Sequence, residues 1–402
     1  MKIIKLETLR LKERPNLLWL KVYTDEGLVG LGETFFGAKT VEAHIHEYIA
    51  PKVIGRNPLQ IDLISSDLVG YLGFRSTGAE VRGNSALDIA LWDLFGKSVN
   101  QPIAQLLGGF TRKKIRTYNT CAGVSYIKNS SGQNSNNFGL KKSDAGVYDD
   151  LNSFLNRADE LAASLLDEGI TAMKIWPFDL TAEKSRGQYI SNDDMKSCLE
   201  PFEKIRKSVG LKMDIMVEFH SMWQLLPAME IARNLEPYET FWHEDPIRMD
   251  SLSSLKRYSE VSRAPLCASE TLGSRWAFKD LLETNAAGVI MLDISWCGGL
   301  SEAKKIATMA EAWHLPVAPH DCTGPVVLCA STHLSLNLPN ALIQESVRAF
   351  YNTWYKDLVT ELPIIENGMI TVPDGPGLGL ELSNDLHKGY TVFRKETSEK
   401  DI

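Results

Sequence analysis

The sequence predicts an α/β protein built on a closed barrel of parallel strands and helices, with a smaller domain before it. From Thr171 to Glu345, short apolar runs recur, each ending in a polar residue and followed by a helical pattern. From Glu218 onward these polar residues are 26, 26, 23, 27 and 25 positions apart, about the length of a strand, a helix and two loops. Continuous apolar runs are typical of parallel strands buried on both faces. Seven or eight such units fit a (β/α)₈ barrel, whose functional side chains stand at the C-terminal ends of the strands.

Length, charge and cysteine content narrow the class of protein. The 402 residues suffice for a barrel and a second domain, and the net charge of −8 includes no basic block, so we expect no nucleic-acid partner. No apolar stretch approaches the roughly 18 residues of a membrane span, and the N-terminus lacks the apolar core of a signal peptide. We therefore expect no membrane partner and a cytoplasmic protein. The six cysteines are scattered without a CxxC motif, which favours reduced core residues.

The regions on either side of the barrel predict a composite domain. Residues 1 to about 35 alternate apolar and polar positions like an antiparallel meander, and residues 40–107 carry helical patterns, the strongest being SALDIALWDLFGK at 85–97. The tail after Tyr351 contains GMITVPDGPGLGLEL, which we expect to return to the N-terminal domain. We expect an α+β domain over 1–113, the barrel over 114–350 and the returning segment over 351–402.

Three loops could contact a ligand. Phe35, beside glycines, could pack in a buried corner or lie on a mobile loop that closes over a ligand. Arg75 and Arg82 fall in the glycine-rich stretch 71–83, which could be a solvated loop or could provide a clamp for a carboxylate. The first barrel strand is expected at 114–123, and the polar tract 124–150 after it is expected to form a flexible insertion on the active-site side.

Three carboxylates predict a metal site. Glu218, Glu244 and Glu270 end three successive runs, so neighbouring strands should bring them together. Unpaired, they would repel one another, and one of them would become neutral. A hard divalent cation removes that conflict, and carboxylate oxygens suit Mg²⁺. The alternative is three separate surface salt bridges, which the equal spacing does not favour.

His320 and Asp293 predict an acid–base pair. They end the seventh and sixth strands, so the carboxylate could accept the imidazole N–H and raise the basicity of the ring. His320 would then be a general base. The alternative is a histidine buried in the core with its hydrogen bonds satisfied.

Further motifs stand at the same strand ends. They are KIW at 174–176, EFH at 218–220, EDP at 244–246, SET at 269–271, Asp293 with GG at 298–299, His320 and Glu345. Together with SALDIALWDLFGK and the terminal PDGPGLGL, they resemble the enolase superfamily, mandelate racemase subgroup, over nearly the whole chain.

The resemblance implies a fold and a first chemical step. It implies an α+β capping domain, a modified TIM barrel of the (β/α)₇β type, and one Mg²⁺ per site that holds the carboxylate of a small-molecule substrate. The common step is removal of the proton α to that carboxylate, which gives an enediolate. The resemblance also implies a homo-oligomer, from dimer to octamer.

Several positions refine the resemblance. Trp176 stands where many relatives carry the second lysine of Lys-x-Lys, so the base on that face is missing and Trp176 becomes a candidate substrate contact. Glu218 replaces the aspartate that commonly provides the first metal ligand. Glu218-x-His220 is similar to a motif of sugar-acid dehydratases, which makes His220 a candidate general acid; the alternative is a packing or supporting histidine. By the same resemblance Lys174 pairs with the substrate carboxylate, and Glu345 hydrogen-bonds the developing enediolate or another substrate oxygen.

These residues predict a Mg²⁺-dependent dehydratase that converts a 2,3-dihydroxy (aldonic) acid to the 2-keto-3-deoxy acid. One alternative is a cycloisomerase, or an epimerase or racemase, acting on a sugar acid through the same enediolate. A second alternative is a ligand-binding or regulatory protein that has kept the site without the activity. Product analysis separates the two enzymes.

Overall fold

The computed structural model describes residues 1–69, 77–129, 134–140 and 148–402. The N-terminal part is an antiparallel sheet covered by helices. Its strands are β1 Ile3–Leu11, β2 Leu17–Thr24 and β3 Val29–Phe35. Its helices are α1 Ala38–His44, α2 Ala50–Val53, α3 Ile61–Val69, α4 Ala79–Val99 and α5 Ile103–Leu106, with a π-helical turn at Ile45–Ile49. The meander and the helical layer are therefore confirmed.

Helix α4 lies directly on β3 because two glycines leave room for it. A Cβ atom on Gly32 would lie 1.9 Å from the carbonyl oxygen of Ala86, and one on Gly30 would lie 2.2 Å from that of Ala90. Helix α4 starts at Ala79, so the predicted loop 71–83 was wrong at its C-terminal end. Arg82 is consequently helical.

Eight parallel strands form the barrel, as predicted. They are β4 Ile115–Thr120, β5 Ala172–Ile175, β6 Asp214–Glu218, β7 Trp242–Glu244, β8 Leu266–Ala268, β9 Val289–Leu292, β10 Val317–Pro319 and β11 Gln344–Ser346. Strands β4 to β10 pair in chain order, and β11 pairs with β4. The amide of Leu342 donates to the carbonyl of Val317 at 2.8 Å and joins β11 to β10, so the barrel is closed.

Helices surround the barrel. They are α6 Asp150–Asn156, α7 Ala158–Asp167, α8 Asp179–Ser185, α9 Asn192–Val209, α10 Leu225–Leu235, α11 Leu252–Ser259, α12 Ser274–Glu283, α13 Ile294–Cys297, α14 Leu300–Ala312 and α15 Pro325–Asn337. Short 3₁₀ turns lie at Gly210–Lys212 and Glu236–Tyr238. Between β11 and residue 364, the described chain has the short helices α16 Arg348–Phe350 and α17 Lys356–Leu358 around a π-helical turn at Tyr351–Tyr355. The eighth strand thus has no full helix, which confirms the (β/α)₇β form.

The tail connects both parts of the molecule. It contains β12 Ile364–Glu366, β13 Met369–Thr371, α18 Leu386–Gly389, β14 Val392–Ser398 and a 3₁₀ turn at Glu399–Asp401. Strand β13 pairs antiparallel with β4, and β14 pairs antiparallel with β1. The last strand therefore belongs to the N-terminal sheet, while the domain limits at 113 and 350 stay predictions.

Side-chain alternation along the strands separates an apolar floor from a polar layer. Tyr118, Met216 and Trp242 belong to a buried cluster, and two residues further along their strands stand Thr120, Glu218 and Glu244. Because residues i and i+2 of a strand share one face, the polar side chains lie directly above the apolar ones at the C-terminal end of the barrel.

The N-terminal sheet contacts this end of the barrel through buried polar groups. The carboxylate of Glu33 on β3 accepts hydrogen bonds from the amide of Val327 in α15 at 2.8 Å and from the indole of Trp19 at 2.6 Å. Burial raises the pKa of Glu33 to about 8. Thr34 donates to the carbonyl of Ser295 at 3.0 Å, in the segment after β9. Strand β3 is thereby fixed against the segments that follow β9 and β10.

Two further observations concern the cysteines and the length of the helices. The six cysteines are buried and free, as expected. Within the described part of the chain, every helix is too short or too polar to cross a bilayer.

We predict that Gly32→Ala lowers the midpoint of thermal unfolding, because the new methyl group cannot fit against the Ala86 carbonyl. Overpacking of this kind costs roughly 1–3 kcal/mol. Gly389→Ala is the matched control, since nothing lies within 4 Å of its added Cβ. Equal midpoints for the two variants, measured by circular dichroism, would contradict the close packing of α4 on β3.

Candidate active site

A cavity opens at the C-terminal end of the barrel, between the strand ends and the N-terminal domain. Its lining combines titratable groups with aromatic rings. The residues are Phe36, Thr120, Tyr126, Ile127, Phe138, Lys174, Trp176, Glu218, His220, Glu270, Trp296, His320, Cys322 and Glu345.

Three glutamates form a compact cluster at one side of this cavity. Glu218 and Glu244 are paired in the register of β6 and β7, and Glu270 follows β8 by two residues. One carboxylate oxygen from each lies within 4.8 Å of the others, and all three residues are buried. The sequence predicted this convergence from the spacing alone.

The ammonium group of Lys174 contacts Glu218 and Glu244 of this cluster, and also Glu345. Its Nζ atom lies 2.6 Å from Glu244 Oε1, 2.9 Å from Glu345 Oε1 and 3.6 Å from Glu218 Oε2. Burial opposes the charged lysine, but Glu244 and Glu345 raise its pKa well above the ordinary value. Lys174 is therefore held as a cation between the carboxylates of three strands.

The glutamate cluster fits a hard divalent cation. Burial, followed by the charge of Glu244, raises the pKa of Glu218 well above its ordinary value, even with Lys174 Nζ 3.6 Å away. The donor set consists of carboxylate oxygens, the ligands preferred by Mg²⁺. Glu218, Glu244 and Glu270 are the residues that could hold such an ion.

His320 lies between two carboxylates. Its Nδ1 atom is 2.8 Å from Asp293 Oδ2, and its Nε2 atom is 3.1 Å from Glu270 Oε2. Asp293 is fixed in turn, because its Oδ1 atom accepts from both the amide and the hydroxyl of Ser295 at 2.7 Å. Burial alone would lower the pKa of His320, but Glu270, Glu345 and Asp293 raise it to about 10. The geometry is that of an oriented imidazole with Nε2 at the cavity.

Glu345 is held beside Lys174. Its carboxylate accepts hydrogen bonds from the Thr120 hydroxyl and, at 2.7 Å, from the amide of Asp321. Burial would raise its pKa, but Lys174 and then His320 lower it to about 2. Glu345 is therefore ionised at neutral pH and accepts hydrogen bonds at the cavity wall.

His220 lies across the barrel from His320. Their strands, β6 and β10, are separated by three strands in either direction around the barrel. The Nδ1 atom of His220 is 2.7 Å from Asp179 Oδ2, and its Nε2 atom is 3.1 Å from the hydroxyl of Tyr126. Two imidazoles, each bound to a carboxylate through Nδ1, thus line one cavity from opposite sides.

Trp176 also lines the cavity. It is buried, and its indole nitrogen has no hydrogen-bond partner among the described residues. Because a buried N–H without a partner costs free energy, this donor is available to a ligand oxygen.

The predicted loop contacts are only partly where we expected them. Phe35 packs in the hydrophobic core, while the next residue, Phe36, lines the cavity. Phe36 has a φ of 67°, so the chain turns directly after β3 and points the second ring inward. The choice of Phe35 as a cavity residue was therefore wrong by one position.

Arg82 supports the wall of the cavity from behind. Its guanidinium donates to the carbonyls of Phe35 at 2.9 Å and Thr77 at 2.7 Å, and its Cζ atom lies 4.6 Å from the centre of the Trp296 ring. Burial lowers its pKa to about 10. Arg82 thus holds the β3 end and Trp296 rather than lining the cavity, and Arg75 lies outside the described residues.

Several site residues were missed from the sequence. Asp179 begins α8, and Tyr126 and Phe138 lie in the 124–150 tract, so no strand-end pattern marked them. Thr120 ends β4 and Trp296 follows Asp293 by three positions. The position of Thr120 at the end of the first barrel strand is a signal that could have identified it.

Comparison with known proteins agrees with this geometry. Residues 157–386 match the family model "Enolase C-terminal domain-like", and residues 8–108 match "Mandelate racemase / muconate lactonizing enzyme, N-terminal domain". A crystal structure of an enolase (mandelate racemase subgroup) from Agrobacterium tumefaciens, with a succinimide residue, is 70% identical over 100% of both chains, with a TM-score of 0.89.

Two named relatives are more distant. The D-xylonate dehydratase of Haloferax volcanii is 30% identical over 95% of this chain and 88% of its own length. The D-galactonate dehydratase of Pectobacterium atrosepticum is 29% identical over 96% of this chain and 93% of its own. Family models over both domains, together with the strand-end residues, show that the chain belongs to the enolase superfamily, in its mandelate racemase subgroup.

Proposed function

We propose that the protein is a Mg²⁺-dependent acid-sugar dehydratase that converts a 2,3-dihydroxy acid to the 2-keto-3-deoxy acid. The observation that carries the proposal is the pair of carboxylate-bound histidines, His320 and His220, on opposite sides of one cavity. Dehydration needs one group to remove a proton and a second to protonate the leaving hydroxyl. The relatives named D-xylonate and D-galactonate dehydratase support the same class of reaction.

His320 takes the proton from C2 in this proposal. Asp293 accepts a hydrogen bond from Nδ1–H, which leaves Nε2 to act as the base and stabilises the imidazolium that forms. Glu270, the first of the carboxylates that raise the pKa of His320 to about 10, would be a ligand of the Mg²⁺, and the charge of the cation would lower that pKa so that Nε2 can accept a proton. The electrons of the C2–H bond move toward the substrate carboxylate and give an enediolate. At the cavity wall, Lys174 provides a positive charge for the substrate carboxylate, and the ionised Glu345 accepts a hydrogen bond from a substrate hydroxyl.

Glu218, Glu244 and Glu270 would hold the Mg²⁺. When bound, this ion supplies a Lewis acid that offsets the second negative charge developing on the carboxylate. It also supplies the positive charge that Lys174 alone cannot provide to the three glutamates.

His220 completes the elimination. As the C3–O bond breaks, its Nε2 atom gives a proton to the departing hydroxyl, which leaves as water. The resulting enol takes a proton at C3 to become the 2-keto acid. Trp176, whose indole N–H has no partner among the described residues, donates to a substrate oxygen on that side without transferring its proton.

The wider setting of the enzyme belongs to the same proposal. Its partner is a small carboxylate, and we expect a homo-oligomer, from dimer to octamer, in the cytoplasm. Which sugar acid it prefers depends on the walls around Phe36 and on the tract 124–150.

We predict that Mg²⁺ stabilises the protein against heat and that Glu244→Gln removes this stabilisation together with turnover. The amide keeps the size of the side chain but removes one of the three charges. Binding to the native state alone raises the unfolding free energy by about 2.7 kcal/mol at 100 times the dissociation constant. Glu302→Gln is the control, because Glu302 pairs with Arg275 outside the cluster. A chelator-treated enzyme with full activity, or an unchanged Mg²⁺ response in Glu244→Gln, would contradict the metal assignment.

We predict that the two histidines separate the two half-reactions. His320→Asn should lower the rates of both dehydration and C2 proton exchange with D₂O by roughly 10²- to 10⁴-fold. His220→Asn should lose dehydration by a similar factor but still exchange C2–H in unreacted substrate. Proton NMR of recovered substrate and product measures both. Dehydration by His220→Asn at the wild-type rate would leave His220 a packing residue.

We predict that the enzyme exchanges only one C2 epimer of a 2-hydroxy acid that has no 3-hydroxyl and does not interconvert the two. Inversion needs acid–base groups on both faces of C2, whereas indole at Trp176 cannot take up a proton. Each epimer is incubated in D₂O and followed by NMR, with His320→Asn as the control that loses exchange. Interconversion of the epimers would require a second acid–base group opposite His320, with Lys174 and His220 as the candidates, and would favour the isomerase.

A further inference from the structure

The partner of His220 on the side away from the cavity is a carboxylate that the reaction scheme above does not use. Asp179 is the first residue of helix α8, and its side chain is fully buried. Its Oδ2 atom lies 2.7 Å from His220 Nδ1, although 41 positions separate the two residues in the chain. Its Oδ1 atom has no hydrogen-bond partner among the described residues. The buried carboxylate is thus oriented toward the imidazole.

A purely structural role for Asp179 explains these contacts poorly. A carboxylate at the start of a helix often caps it, but the residue in the capping position of α8 is Phe178, with no side-chain hydrogen bond to the helix. Burying a carboxylate with one oxygen unpaired costs free energy. Burial raises the pKa of Asp179, and among its neighbours His220 lowers it, so the contact with the imidazole is the one that favours an ionised carboxylate here.

The other contacts of His220 fix the plane of its ring but not which ring nitrogen carries the proton. The ring of His220 stacks on Phe138 at 4.6 Å between centres and meets the Trp176 ring edge-on at 5.7 Å. His220 has a φ of 48°, a left-handed conformation that non-glycine residues adopt at a cost and mainly at functional sites. Backbone and rings therefore fix the plane of the imidazole, whereas the hydrogen-bond partners fix which nitrogen carries the proton.

The two histidines of the cavity are held alike. His320 Nδ1 lies 2.8 Å from Asp293, and His220 Nδ1 lies 2.7 Å from Asp179. In both cases Nε2 is left at the cavity, where His220 meets the hydroxyl of Tyr126 at 3.1 Å. A carboxylate at Nδ1 keeps the proton there and leaves Nε2 as the reacting nitrogen.

We propose that Asp179 is a positioning residue for the elimination half-reaction: it accepts the hydrogen bond from Nδ1–H of His220, so that the imidazolium gives its Nε2 proton to the leaving hydroxyl and keeps its Nδ1 proton. Asp179 then does for His220 what Asp293 does for His320. Tyr126, at Nε2, holds that nitrogen until a substrate hydroxyl takes its place. This inference rests on the proposed dehydratase function and deepens it.

The test compares elimination with C2 exchange in the Mg²⁺-loaded full-length enzyme, using an aldonate that the wild type dehydrates. Asp179→Asn should lower the rate of dehydration by roughly 10- to 100-fold, the range found for carboxylates that orient liganding histidines. KM and the rate of C2–H exchange in D₂O should be retained, since His320 and Asp293 are untouched. The ratio of exchange to elimination therefore rises.

Two further variants separate positioning from general damage. In a His220→Asn background, Asp179→Asn should cause no additional loss, because a residue that acts through His220 has nothing left to position. Asp88→Asn is the matched control. Asp88 is also buried, and its Oδ1 atom has no hydrogen-bond partner among the described residues, but its Oδ2 atom accepts from the amide of Ser301 at 2.9 Å. It lies on α4 and does not line the cavity. This variant should leave the ratio unchanged. Equal losses of exchange and elimination in Asp179→Asn, or additive losses in the double variant, would overturn the inference.

A measurement that needs neither substrate nor a folded Asp179 variant completes the test. In wild-type protein labelled with ¹⁵N-histidine, the ring signals of His220, assigned by their loss in His220→Asn, should show the proton on Nδ1. A ring protonated on Nε2 alone would overturn the inference whatever reaction the enzyme catalyses. If the wild type dehydrates no sugar acid but its His220 carries the Nδ1 proton, the proposed function fails while the positioning of the imidazole stands.

Discussion

Mutual repulsion among buried carboxylates is the constraint on which the site depends. Glu218, Glu244 and Glu270 are brought within 4.8 Å of one another by strand register, over an apolar floor that excludes water. In such surroundings like charges interact far more strongly than in water. Lys174 offsets part of this charge, while burial and then Glu244 still raise the pKa of Glu218 well above its ordinary value. A divalent cation would neutralise more of the cluster and would provide the charge that the proposed enediolate chemistry requires, so one electrostatic requirement would link the fold to the proposed reaction.

The strands and their terminal residues could be predicted because their signals are local and periodic. Seven apolar runs, nearly constant in spacing from Glu218 onward, predicted seven barrel strands, and the first strand was expected at 114–123. The parallel register then brought Glu218, Glu244 and Glu270 together. The supporting residues could not be found in this way. Asp179 lies on a short helix after β5, and only tertiary packing brings it to His220, 41 positions later. Phe35 and Phe36 are both phenylalanines, so the sequence did not show which of them lines the cavity. The left-handed backbone conformation of Phe36 points its ring inward. Arg82 was expected on a loop because glycines precede it, whereas α4 already begins at Ala79.

The N-terminal domain contributes to the site by support as well as by cover. Phe36 reaches the cavity from the end of β3, and Arg82 of α4 holds the carbonyl behind it and stacks on Trp296. Trp296 in turn lies 5.3 Å from the ring of His320. Glu33 binds the amide of Val327 near the start of α15, the helix that follows the strand bearing His320. Substitutions in the N-terminal domain should therefore alter His320, the proposed base, without touching the substrate.

In the proposed reaction, His320 and His220 act from opposite sides on one substrate held at the glutamate cluster. The most direct measurement is a crystal structure of the inactive His320→Asn variant with Mg²⁺ and an aldonate that the wild type dehydrates. We expect a cation at Glu218, Glu244 and Glu270. We also expect the C2 hydrogen of the ligand to face position 320 and its 3-hydroxyl to lie within hydrogen-bond reach of His220. A ligand whose 3-hydroxyl points away from His220, or a glutamate cluster without a cation, would contradict it.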